Sequence, residues 1–322
     1  MMISSLIEKY LQYIEYEKGF SSHTIASYKA DLHLFQDYVK SCDLKEFKLD
    51  SIDSMLIREW IVSLRKGDKN SASSVNRRLS TLKSFFRYLK QKDLIKHNPM
   101  QQVVSLKREV RLPKFVKESE IEALLTNRQE FFPDNFEGVR DSTIIEAFYT
   151  LGIRESELIG IKDADIDFSK CYVSVIGKGS KQRLIPFGKK MKESFLSYLE
   201  ARKELQLGNV STFFVRKDGS PLYPMLVYRV VRNYLSEVSS LTQRSPHVLR
   251  HTFATLMLNN GAELNAVKEL LGHANLAATE VYTHTTFEQL REIYERAHPR
   301  ADKKNLKLGG TDYEGDSSDS AF

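Results

Sequence analysis

Tyr282 stands nine positions after His273, in a segment that reads Leu271-Gly272-His273 and then Val281-Tyr282-Thr283-His284. Upstream lie His247-Val248-Leu249-Arg250-His251 and, further back, Arg154-Glu155-Ser156-Glu157. A tyrosine preceded in this order by two arginines and two histidines suits a covalent attack on a phosphodiester. Guanidinium forks match phosphate oxygens and stabilise charge that develops on them, and imidazoles can carry protons. A phosphotyrosine ester preserves the energy of the bond it replaces, so such a transesterification calls for no metal, no ATP and no other cofactor. No single residue decides the matter, because the chain has 15 tyrosines and most must be packing.

The elements that must position these groups can be read from local pattern. Ser245-Pro246 reads as a cap followed by proline at a first helical position, which puts His247 and Arg250 on one face of a first turn, where free amides favour an anion. His251, four beyond His247, raises the question of a zinc pair, but Val248 occupies the place of the glutamate that the metalloprotease form needs. No metal site is expected, and His251 is expected to be a packed structural residue. Gly177-Lys178-Gly179-Ser180 resembles part of a phosphate loop; Tyr172 stands where a further glycine is required and a strand follows, which excludes ATP binding. Lys178 is instead expected at a hairpin tip, able to reach a leaving oxygen. Arg154 follows Leu151-Gly152-Ile153 at the end of an apolar helix, with Glu157 three residues on, and alone would read as a surface ion pair.

The first hundred residues carry apolar positions three and four apart in four stretches, and predict four short helices in a bundle. Ser22 and Asp53 are the expected caps of the second and third. The fourth bears Arg77, Arg78, Lys83, Arg87 and Lys90, a face that suits a DNA backbone or, more plainly, solvent. Two prolines, Pro99 and Pro113, bracket a charged linker that contains Lys107 and Arg108. Beyond it, Ser119 is the expected cap of a helix, 140–151 a further helix, and Ile166–Ile176 and Arg183–Phe187 two strands around the 177–181 turn. The expected class is mainly α with a small antiparallel sheet (α+β): a helical domain over 1–105, a linker over 106–113, a mixed domain over 114–300 and an acidic disordered tail over 301–322.

Composition narrows the partners. Hydrophobic residues make up 41% and charged ones 28%, the balance of a globular protein, and no apolar run approaches a membrane span. With Cys42 and Cys171 alone, neither a disulfide framework nor a thiolate metal site is expected, and no leader pattern opens the chain, so a cytoplasmic location is expected. The net charge is +6, and residues 309–322 hold four acids and no base, which leaves the body more basic than the whole and points to a polyanion partner.

The ordered set Arg154, Lys178, His247, Arg250, His273 and Tyr282 resembles the tyrosine recombinase (phage integrase) family, and most closely its Xer type, over about residues 3–301. The surrounding text carries the likeness too: Thr150 to Leu158, Gly177-Lys178-Gly179-Ser180-Lys181-Gln182-Arg183, His247 to Thr255, and Ser74 to Ser80, which is similar to the family's SAM-like core-binding domain. Ala277-Ala278 departs from a more usual Ser/Thr pair, and the acidic tail is extra; neither touches a catalytic position. The resemblance implies that Tyr282 attacks the scissile phosphate, Arg154 and Arg250 hold its oxygens, Lys178 protonates the leaving 5′-oxygen, and His247 or His273 assists. It implies double-stranded DNA with a specific recombination site as partner, contacted by Arg77, Arg78, Lys83, Arg87, Lys107, Arg108 and Lys181. It further implies a homo- or hetero-tetramer with a related recombinase, a septal DNA translocase as activator, and resolution of chromosome dimers. A helix near Thr286–Tyr294 is expected to dock on the neighbouring protomer. A mobile-element integrase, a type IB topoisomerase and a non-catalytic DNA-binding protein are the competing readings. The core-binding helices starting at residue 3, without an arm-binding domain, favour the Xer type.

Overall fold

The computed structural model describes residues 3–42, 52–66, 70–107, 115–177, 181–272 and 286–301. The chain divides into two compact units, Met1–Arg111 and Leu112–Phe322. Three expected catalytic residues, Lys178, His273 and Tyr282, lie outside the described residues, as do Arg108 and the acidic tail.

In the first unit the predicted apolar stripes become α1 (Ile3–Gln12), α2 (Ser22–Ser41), α3 (Ser54–Arg65) and α4 (Ala72–Gln91). Asp53 caps α3 as expected, accepting from the Leu56 amide at 2.8 Å. The cap of α2 is Ser21 rather than Ser22: Ser21 is extended and its hydroxyl accepts from the Thr24 amide at 3.3 Å, so Ser22 is already helical. Tyr10, Phe35, Trp60, Phe85 and Phe86 fill the core. The buried Asp31 of α2 takes the Arg77 fork at 2.6 and 2.7 Å and the Thr81 hydroxyl at 2.9 Å. Arg78 donates to Asn70 at 2.7 Å. Arg77, expected on a DNA face, is thus anchored at its fork but keeps 49% of its side chain exposed, and Arg87 and Lys107 are exposed as well, whereas Arg78 and Lys83 are half-buried. Leu106, at the start of the expected linker, exchanges two hydrogen bonds of 2.8 Å with the Asn76 side chain and so belongs to this unit.

The second unit runs α5 (Glu118–Thr126), α6 (Arg128–Phe131), α7 (Phe136–Leu151), α8 (Glu155–Gly160), β1 (Ile166–Asp167), β2 (Tyr172–Ile176), β3 (Gln182–Pro186), α9 (Lys189–Glu204), α10 (Pro224–Val238), α11 (Pro246–Asn259), α12 (Leu264–Leu271) and α13 (Phe287–Ala297). Almost every side chain of α7 is buried, which makes it the central helix, covered by its neighbours on all sides. The cap of α5 is Lys117, not Ser119, because the Glu120 carboxylate reaches back to the Lys117 amide at 3.1 Å and starts the helix earlier. The strand expected over Ile166–Ile176 is two strands. The Asp167 carboxylate accepts from the Ser169 and Lys170 amides at 2.9 and 2.8 Å, and Cys171 takes φ +54°, which turns the chain back. The sheet is antiparallel in the order β1-β2-β3, with Val175 opposite Arg183 and Ile176 opposite Gln182.

The last helix, α13, lays Leu290, Tyr294 and Ala297 into an apolar cluster with Phe253, Met257, Val267 and Leu270 of its own unit. The chain beyond it is fastened as well. His298 is fully buried, stacks on Tyr294 at 5.1 Å and lies 3.2 Å from the Tyr149 carbonyl, and Arg300 donates to Glu146 at 3.0 Å and to Glu122 at 2.9 Å. Ala301 packs in the same cluster, one residue past the expected end of the domain.

Candidate active site

Gly152 ends α7 at φ +58°, and a Cβ there would stand 2.4 Å from the Phe253 ring of α11. Glycine alone allows both the turn and the approach. The turn delivers Arg154 to the N-cap of α8, where the Glu157 carboxylate accepts from the Arg154 amide at 2.7 Å and from its guanidinium at 2.6 Å. From the β-hairpin, Arg183 forks onto both oxygens of Glu157 at 2.8 and 2.9 Å. Arg250 reaches in from the first turns of α11, with Nη1 donating to the Gly152 carbonyl at 2.6 Å and lying 3.9 Å from Glu157.

All three arginines meet the end of α12. Arg183 Nε donates to the Leu270 carbonyl at 2.8 Å, Arg250 Nη2 to the Leu271 carbonyl, and Arg154 Nη2 to the Gly272 carbonyl at 2.7 Å. The last carbonyls of a helix have no partner within it and carry the negative end of its dipole, so cations belong there. Three successive carbonyls are thus each taken by a different guanidinium, immediately before His273.

Charge in this cluster does not balance. Three guanidiniums share one carboxylate among the described residues within reach. Burial alone would raise the Glu157 carboxyl, but hydrogen bonds from Arg183 and Arg154 outweigh it and hold it at about 2. Arg250 is pushed the other way, down to about 10, first by burial and then by the charge of Arg154. A half-buried centre with surplus positive charge is one that favours an anion. Arg154 retains 29% exposure of its side chain, the most open of the three guanidiniums.

The structure thus brings together Arg154 and Arg250, which are 96 residues apart in the chain. His247 is exposed on the first turn of α11, three residues before Arg250. His251 is exposed too, contrary to the packed role expected of it: the buried stripe of α11 runs through Val248, Leu249, Thr252, Phe253 and Leu256 and leaves positions 247 and 251 outside. Lys181 is exposed at the hairpin, where the Gly177 amide donates to its carbonyl at 2.8 Å. Glu157, read from sequence only beside Arg154 as a surface ion pair, and Arg183, given no role there, prove to be the centre of the network. Glu157 had a visible signal, since an acid three residues after an N-cap closes a capping box. Arg183 had none beyond its place in the Gly177–Arg183 motif.

The model of the phage integrase family matches residues 114–289, and that of the phage integrase N-terminal SAM-like domain matches residues 7–93. The tyrosine recombinase XerC of Staphylococcus saprophyticus is 41% identical over 300 residues, covering 92% of this chain and 98% of that protein. The tyrosine recombinase XerC of Chlorobaculum tepidum is 35% identical over 316 residues, covering 91% and 94%. Among solved structures, the XerH site-specific recombinase bound to palindromic difH substrate gives a TM-score of 0.68 at 22% identity, over 90% of this chain and 83% of that one. The Tn1549 transposon integrase in complex with transposon right end DNA gives 0.66 at 23% identity, over 92% and 99%. At such identities these structures speak to the fold alone.

Proposed function

We propose, given that this chain belongs to the phage integrase family and is a site-specific tyrosine recombinase, that it cuts and rejoins double-stranded DNA through a covalent bond between Tyr282 and a 3′-phosphate. The Tyr282 oxygen attacks phosphorus and the bond to the 5′-oxygen breaks. Lys178 gives the departing oxygen its proton, while His247 or His273 takes the proton of the phenol, whose ordinary pKa of about 10 makes that help necessary. Arg154 and Arg250 hold the non-bridging oxygens and stabilise the charge of the transition state. A 5′-hydroxyl from a second strand then reverses the step and gives the recombined product. No atom is left over, and no outside energy is consumed.

The observation that carries this reading is the meeting of Arg154 and Arg250, with a surplus of positive charge, at the residue that precedes His273. The XerC relatives favour a housekeeping role, resolution of chromosome dimers in the cytoplasm. The partners are a tetramer formed alone or with a second recombinase, and a septal translocase as activator. The test is a nicked target duplex that traps the covalent adduct. Tyr282→Phe forms no adduct while binding the duplex normally; adducts that persist in that variant would overturn the assignment of the nucleophile. Sequencing the DNA trapped on the wild-type protein in cells separates a chromosomal site from the ends of a mobile element. Binding weakens steeply with salt if lysines and arginines contact phosphates, and a flat response would count against that.

A further inference from the structure

We infer that Arg183 is a positioning residue for this reaction, one guanidinium that locks together the three segments bearing Arg154, Lys178 and His273. The inference rests on the reading of those residues given above. Its Nη1 and Nη2 hold both oxygens of Glu157, which in turn orients Arg154 through main chain and side chain. Its Nε holds the Leu270 carbonyl at the end of α12, two residues before the αL turn at Gly272 that leads into His273. At Gly272 a Cβ would stand 2.9 Å from Arg183 Nη1, so the αL turn is packed directly against this guanidinium. Its own backbone sits in β3 opposite Val175 of β2, two positions from the Gly177–Lys181 pair that closes the described stem, and Lys178 follows Gly177 in the chain.

Arg183 itself is not placed to touch substrate. Its side chain is 12% exposed, and both ends of its fork are occupied. The arrangement needs a planar fork with a third donor on Nε. A lysine offers one compact ammonium and cannot hold a carboxylate side-on while reaching a carbonyl.

The test compares Arg183→Lys and Arg183→Ala with wild type, Lys178→Ala and Tyr282→Phe. Single-turnover cleavage is measured on two nicked duplexes, one with the ordinary 5′-oxygen at the scissile phosphate and one with sulfur in its place, which leaves without a proton. Both Arg183 variants should bind the duplex as wild type does and cleave the oxygen substrate about 100-fold more slowly, the scale set by small misplacement of reacting groups. The sulfur substrate should recover part of that loss, because one of the misplaced groups is the proton donor. A residue that only stabilises the fold would slow both substrates equally. Equal slowing, a wild-type rate, or loss of binding together with a collapsed melting transition in Arg183→Lys would each overturn the inference. The underlying reading fails separately, and visibly, if wild type forms no adduct or if Tyr282→Phe still does.

Discussion

Two glutamates of the second unit, Glu146 and Glu157, are buried to nearly the same degree, at 0% and 5% exposure, and each is held by two arginines. Glu146 takes Arg128 and Arg300, with Ser194 as a further donor; Arg300 continues to Glu122. That set has two carboxylates for two guanidiniums and is closed. Glu157 takes Arg154 and Arg183, with Arg250 close by, and the excess charge is met by peptide carbonyls. The first cluster ties the end of the chain to α7. The second leaves cationic donors concentrated beside a partly open arginine. Burial and pairing alone do not separate a structural charge cluster from a functional one; the charge balance and the identity of the other acceptors do.

Five substitutions bear on the difference between the two clusters. Glu146→Gln should lower unfolding free energy by about 3 kcal/mol, because Arg128 loses its carboxylate and the buried Arg300 keeps only Glu122, while cleavage of a nicked duplex at 25 °C is retained. Urea unfolding and single-turnover kinetics on one preparation check both halves. Glu157→Gln should cut the cleavage rate about 100-fold with duplex affinity kept, since Arg154 and Arg183 lose a shared anchor. If Glu146→Gln slowed cleavage as much, the two clusters would not differ in function.

Acid should weaken the two regions in sequence. Burial holds the His298 imidazole at about 3, against an ordinary 6.5. The unfolded chain therefore takes up that proton first, and stability falls as pH drops below 6.5 toward 3. The contribution of Glu157 is present above 4.5 and is lost only as pH falls from there toward about 2. Asp141, raised to about 6 by burial, works in the opposite sense and gains stability as pH falls from there to 3.8. Urea midpoints of wild type and His298→Gln between pH 6.5 and 4.5 isolate the histidine; an unchanged slope in the variant would place the proton elsewhere. The smallest effect is expected from Arg128→Lys, about 1 kcal/mol, because Arg300 still holds Glu146. Arg154→Lys should cost no more in stability yet stop cleavage, and a cleaving Arg154→Lys would show that a fork is not required there.

Much of this was legible in the chain and some was not, for identifiable reasons. The helices of the first unit follow from apolar spacing, and the order of Arg154, Arg250 and their neighbours pointed to phosphate chemistry before any geometry. The break between β1 and β2 was missed because Ile166–Ile176 is apolar enough to read as one strand, while the turn is made by a single carboxylate, Asp167, on two amides. His251 was misplaced because helical spacing from His247 is silent on which face is covered. Glu157 and Glu146 look alike in sequence because their partners lie far away: Arg183 is 26 residues from Glu157, and Arg300 is 154 from Glu146. Only folding decides which arginine each receives.

The end of α12 also limits how the guanidiniums can move. With Leu270, Leu271 and Gly272 each accepting from a different arginine, the three long side chains have given up rotamer freedom in the fold itself, and that entropy is not lost again when an anion binds.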